Sequence, residues 1–497
     1  MEIYLNINPN VRFIDGKTVQ YFHIDNNDTK LPIVFDFDKA FNIKEIKSGD
    51  KNLDFEFSNN KIKIYPKSNW NTFDSVSIKY SGEPPVSGFG SVVFTNHKNV
   101  PIFWTLSDPF GAKDWFPCKQ VLTDKYDSLK TIISCPKEYK SASNGIIIKE
   151  NIKDDYRTTE WLHHYPCAYY LIAVAISNYE VFNNYVKLSD NDSILIQNFA
   201  YPENINSAKR NVPKLIPAFK MFCDTFGLYP FDNEKYGQAQ FGWSGGMEHQ
   251  TITFLNSFSI DLMVHELAHQ WFGNTVTHSN WHDIWISEGF AEYCELLACE
   301  KGCYSYNSPK HFRENLLKYI CTSTHGSVYV SDTTDVNSIF NLTTTYYKGA
   351  MILHALRKEL GDDIFFPCLR EYYNTYKFKN VSVKDFIKFV SDFSKQDFQW
   401  FFEQWYYGKG FPIYKIDWKN KSSKQIVIKI NQTQTDESVK FFRSKLTFKL
   451  TDKENHFQYI TVNNIKNNQE FNIKTNFYVT DIEFDPENDL IKMDNNL

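Results

Sequence analysis

The chain has 497 residues, 42% of them hydrophobic and 17% aromatic. That is too long for one core, so several domains are expected. Its 54 basic and 59 acidic residues leave a net charge of −5 with no basic block, so nucleic acid is not an expected partner. No apolar run reaches 18 residues, so neither a spanning helix nor a membrane partner is expected.

The start, MEIYLNINPNVRFIDG, lacks the basic and apolar regions of a signal peptide. A cytoplasmic protein is expected, with a secreted mature chain given a new Met1 left open. Residues 1 to about 200 alternate apolar and polar positions, as in KIKIYP, SVSIKY and YYLIAVAISNYEVF, with turn signals such as SGEPP between them. This pattern predicts antiparallel β structure. From Pro202 the apolar spacing changes to three and four, in SAKRNVPKLIPAFKMFCDTFG, FSIDLMVHELAHQWFG, SEGFAEYCELLACEKG and KGAMILHALRKELG. Several of these predicted helices stop at glycine. After GKGFP the alternation returns in QIVIKI, KLTFKL and FQYITV, which fits a small β-sandwich. The nine cysteines are odd in number and contain no CxxC pair. Reduced, mostly buried thiols are expected rather than a disulfide framework.

Residues 264–273 read VHELAHQWFG. Side chains four apart share one helix face, so the imidazoles of His265 and His269 can reach one point. Zinc accepts imidazole nitrogen, and Glu266 stands beside such an ion without binding it, where a base for an attacking water belongs. Nineteen positions after His269 comes Glu288, in WISEGFAEY. With Ser287 as a helix cap, Glu288 would project from the first turn as a third ligand. Two histidines and one glutamate with an open fourth position are a catalytic zinc pattern, whereas structural sites are closed.

VHELAHQWFGN followed by WISEGFAEY resembles the aminopeptidase N family of zinc metallopeptidases, of the gluzincin clan. GGMEH at 245–249 is similar to that family's Gly-x-Met-Glu-Asn exopeptidase motif, and YYKGA at 346–350 to its Tyr-x-Lys-Gly segment. DWFPCKQ at 114–120 resembles its Phe-Pro-Cys stretch, and EQWYYGKGFP at 403–412 its passage into a third domain. The resemblance implies a multidomain α+β fold. An N-terminal antiparallel β domain (1–200) would precede a thermolysin-like, mostly helical catalytic domain (201–409) and a β-sandwich (410–497). The helical fourth domain that many members carry is expected to be absent.

The resemblance also implies one zinc ion per chain on His265, His269 and Glu288, with Glu266 as general base and Tyr346 as a donor to the oxyanion. It places Gly245, Gly246, Met247, Glu248 and His249 along the substrate. The Glu248 carboxylate would hold a free α-ammonium, so that only the first peptide bond meets the metal. Glu292 or Glu295 would accept a proton from a ligand histidine, the alternative being that both are solvated surface acids. Three positions depart from the family. His249 stands where Asn is usual, Leu106 where Gln is usual, and Ser287 where Asn is usual. His249 adds a titratable group beside Glu248, and Asp108 would help replace the acceptor missing at Leu106. The expected function is a zinc aminopeptidase acting on peptides with a free N-terminal amine. A zinc endopeptidase and a non-catalytic peptide-binding relative are the alternatives. The sequence carries no signal of oligomeric state.

Overall fold

The computed structural model describes residues 1–24, 29–189, 192–304 and 308–494. The chain divides into two compact units. One holds Met1–Cys223, Leu228–Thr277 and Lys377–Asn380, and the other Asp224–Gly227, His278–Tyr376 and Val381–Leu497.

The first unit is built on sheets. Its largest has eight strands, with the first strand, Glu2–Asn6, parallel to Leu129–Pro136 and antiparallel to Ile14–His23. The alternation read from the sequence sets its faces. In Phe73–Gly82 the residues Val76, Ile78 and Tyr80 are fully buried while Ser75, Ser77 and Lys79 are not. A mixed five-stranded sheet carries the part of the unit that matters most for function. Its spatial order is Glu180–Lys187, Ser193–Ala200, Tyr236–Gln240, Ile252–Leu255 and Gly246–Met247. This sheet draws strands from both sides of residue 200. Gly246–Met247, inside the GGMEH stretch, is its edge strand.

The second unit is helical, then β. Its central helix, Trp285–Glu300, is buried on every side from Trp285 to Cys299, which is why its sequence is apolar around most of its circumference. The expected Ser287 cap is not what begins it. The 3-10 turn Trp281–Asp283 runs into the helix through Ile284, whose backbone is already helical, and Ser287 N–H donates to the Ile284 carbonyl at 2.9 Å. Helices Gly349–Leu360, Asp362–Tyr376 and Val383–Ser394 follow, the last opened by a reciprocal Ser382–Asp385 capping box. Two short segments, Leu342–Lys348 and Glu403–Tyr407, are π-helical.

From Pro412 the chain forms two sheets, of four and three strands. They share a core of Tyr414, Ile426, Ile428, Ile430, Leu446, Phe448, Leu450 and Phe484, the inward positions of the alternating strands. The nine cysteines are thiols, and six of them are buried. No helix among the described residues is long and apolar enough to cross a membrane.

Candidate active site

The histidines sit at the end of the helix Ile260–Ala268. His269 N–H still bonds the His265 carbonyl, at 3.4 Å, so the helical spacing holds across the pair. The two rings lie 4.8 Å apart between centroids at 72°. One nitrogen from each can therefore approach one ion, a donor pair suited to zinc. His269 is 1% exposed and His265 is half-buried.

The edge strand meets this helix at Glu266. The Glu248 and Glu266 carboxylates and a His269 nitrogen all lie within 4.8 Å of one another, and all three residues are buried. Gly246 is where the strand passes Glu266. A Cβ there would collide with the Glu266 carboxylate, so a larger residue would displace that side chain. At Gly245 the neighbour is the Trp243 ring, 2.8 Å from where a Cβ would stand. Met247 is buried, with 4% exposure.

Two residues of AHQWFGN that the sequence reading quoted but did not assign hold the strand to the helix. Asn274 donates its side-chain amide to the Glu248 carbonyl at 2.7 Å. Gln270 donates to the same carbonyl at 3.5 Å and accepts from Thr251 N–H at 3.0 Å. Thr251 has φ +62°, a conformation that a β-branched residue avoids. It is fixed there by Gly145 N–H on its hydroxyl (2.8 Å), and by Gly237 N–H (2.9 Å) and the Lys235 ammonium (3.1 Å) on its carbonyl. No periodicity reveals such polar cross-links, although a Gln and an Asn in the turn just after the motif helix are the available signal.

His249 is fully buried, with its ring edge-on to Phe254 at 4.4 Å. Burial pushes its pKa down to about 3, so the imidazole is neutral at ordinary pH. The titratable neighbour expected beside Glu248 therefore carries no charge in the working range. Leu106 is 1% and Asp108 5% exposed.

In the second unit, Glu288, Glu292 and Glu295 follow one face of the central helix at 4%, 8% and 9% exposure. None of them is a solvated surface acid. Tyr346 lies half-buried in the π segment Leu342–Lys348. The two elements are held in register by a glycine pair. A Cβ on Gly289 would stand 3.0 Å from the Gly349 Cα, and one on Gly349 would stand 3.1 Å from the Gly289 Cα. Thus the glycine after Glu288 and the glycine that closes YYKG mark one backbone-to-backbone crossing.

Residues 244–405 match the family model described as Peptidase family M1 domain. Aminopeptidase Q of Felis catus is 27% identical over 370 residues, 64% of this chain and 36% of that protein. Glutamyl aminopeptidase of Sus scrofa is 26% identical over 357 residues, 66% of this chain and 37% of that protein. The chain thus spans little more than a third of these curated relatives. Among solved structures, an M1 zinc metallopeptidase variant from Deinococcus radiodurans, bound to a Tyr-Ser-Ala substrate, superposes with TM-score 0.70 at 21% identity, covering 82% of this chain and 93% of that one. Legionella pneumophila aminopeptidase A, in complex with aspartic acid, gives TM-score 0.81 at 17% identity over 100% of this chain and 59% of that one. Residues 244–405 thus match a Peptidase family M1 domain, and the chain is similar to aminopeptidases and shares the fold of M1 zinc metallopeptidases.

Proposed function

We propose that this chain is a zinc-dependent aminopeptidase that removes the first residue from peptides with a free amine. The observation that carries the reading is the meeting of two buried carboxylates, Glu248 and Glu266, with His269 inside 4.8 Å. A zinc endopeptidase has use for one such acid. A second, directly after the edge strand, is what fixing an α-ammonium requires.

In this reading His265, His269 and Glu288 would hold one zinc ion, which would supply the Lewis acidity that makes water reactive near neutral pH. The HExxH spacing, the later glutamate and the family support that ligand set. Glu266 accepts the proton of the attacking water and returns it to the leaving amine. The Tyr346 phenol donates to the oxygen that becomes negative, Glu295 orients a ligand histidine, and Gly245–Gly246 leave room for the substrate backbone.

The test is release of a free amino acid from a dipeptide and from its N-acetylated form. Release from the first only, with KM raised and the preference for a free amine lost in Glu248→Ala, supports the reading. Equal cleavage of both forms, or internal cuts in a longer acetylated peptide, would overturn it in favour of an endopeptidase.

A further inference from the structure

Lys348 is the one cation of the YYKG stretch, and it is 2% exposed. Its ammonium donates to three backbone carbonyls: Gly326 at 2.9 Å, Gly410 at 3.1 Å and Gly408 at 3.4 Å. An ammonium has three N–H donors and no acceptor, so three carbonyls use its capacity in full.

The carbonyls come from three glycines, and none of these positions has space for a Cβ. At Gly326 it would strike the Thr344 methyl and the Ser323 hydroxyl, at Gly408 the Gln404 carbonyl, and at Gly410, where φ is also +69°, the Thr435 hydroxyl. The segments also bond each other, with Gly410 N–H donating to the Gly326 carbonyl at 3.1 Å. The chain has thus closed tightly around the lysine amine, whose pKa burial pushes down to about 7, with Asp436 opposing the shift.

The position of this tripod gives it a further meaning. Lys348 is the last residue of the π segment that carries Tyr346, and Gly408 is the first residue after the π segment Glu403–Tyr407. At the front of the first segment, the Asn341 side chain accepts from Thr343 and Thr344 N–H, both at 3.1 Å. A seven-residue π segment is an unusual backbone that its surroundings must maintain, and such segments recur at functional positions. Here Asn341 holds one end and Lys348 the other, with Tyr346 two residues from the second anchor.

We infer that Lys348 is a positioning residue. Its ammonium, tied to the Gly326, Gly408 and Gly410 carbonyls, keeps the π segment wound so that the Tyr346 hydroxyl is presented where the oxyanion forms. This rests on the proposed role of Tyr346. It adds that the lysine acts on turnover through the tyrosine and does not touch substrate.

The experiment is a double-mutant cycle of the full chain with one aminoacyl amide: parent, Lys348→Met, Tyr346→Phe and the pair together. A displacement of about 1 Å remote from the chemistry can cost about 10²-fold. Lys348→Met should therefore lower kcat by about 10–100-fold, with KM within about twofold and zinc content unchanged. Because the lysine acts through the phenol, the double variant should be no more than about twofold slower than Tyr346→Phe alone. Losses that multiply, or a parent-like kcat in Lys348→Met, overturn the inference. If Lys348→Met does not fold, Lys348→Gln, which keeps two N–H donors, takes its place under the same criterion. Failure of both to fold also overturns it, by making the lysine a general anchor of the unit. Its failure is distinct from failure of the reading beneath it. In that case an active parent would be matched by Tyr346→Phe, or the parent would release no amino acid, and either result removes this inference with its basis.

Discussion

Glu266 and Tyr346 should separate by the size of their effects. Glu266→Gln keeps shape but removes the base, so kcat should fall by at least about 10²–10⁴-fold. Tyr346→Phe removes one donor to the oxyanion and should cost about 10²–10³-fold. Zinc content by atomic absorption should match the parent in both, and a Tyr346→Phe variant with parental turnover would remove the tyrosine from the mechanism. His265, His269, Glu266 and Glu288 stand out as candidates in the sequence because a metal site would impose such a spacing. The state of His249 does not, since burial and not identity decides its charge. With its pKa pushed down to about 3, His249 is neutral throughout pH 5.5–8. His249→Asn should leave the pH profile of KM unchanged over that range. The residue should act on acid stability instead. Its folded pKa lies below the unfolded value of about 6.5, so the unfolded chain binds the extra proton between those limits. Stability present above pH 6.5 should be lost as pH falls towards 3, by up to about 1.4 kcal/mol per pH unit. Urea unfolding at pH 7 and pH 5 should show a smaller acid loss in His249→Asn, and equal losses would sink this account.

At the scale of elements, the crossing at Gly289 and Gly349 joins the helix of Glu288 to the segment of Tyr346. Gly289→Ala puts a methyl against the Gly349 backbone, an overpacking that typically costs about 1–3 kcal/mol. The urea midpoint should drop with an unchanged m-value, and turnover should fall further than zinc content. A midpoint and a kcat equal to the parent's would show that the helices can part without consequence. Element type was readable from apolar spacing, because that spacing is what a half-buried helix or strand needs. Two things were hidden. The central helix begins at Trp285, since a preceding 3-10 turn feeds it and no side-chain cap is required. The π turns at Leu342–Lys348 and Glu403–Tyr407 are also silent, because one wide turn leaves too short a pattern to distinguish from an α-helix.

For the whole molecule, the cores and the metal are separable. The core of Tyr414, Ile428, Phe448 and their neighbours includes none of the candidate ligands, nor does the face of Val76, Ile78 and Tyr80. A chelator should therefore abolish activity, with zinc restoring it, while far-UV circular dichroism stays native and the melting temperature falls by no more than the lost binding free energy. An unfolded chain in EDTA would contradict this. The thiols have a consequence for how such opening is followed. Cys118 and Cys135 lie in the first unit and Cys294 and Cys368 in the second, all four buried. Burial drives each thiol's pKa upward, to about 12 for Cys135 and Cys368, so the thiolate that an alkylating reagent needs is almost absent while the fold is closed. Each sulfur becomes a clock that starts when its own surroundings part. A timed pulse of iodoacetamide, followed by peptide mass spectrometry, would date the opening of the two units separately in a single tube, with no label engineered into the chain.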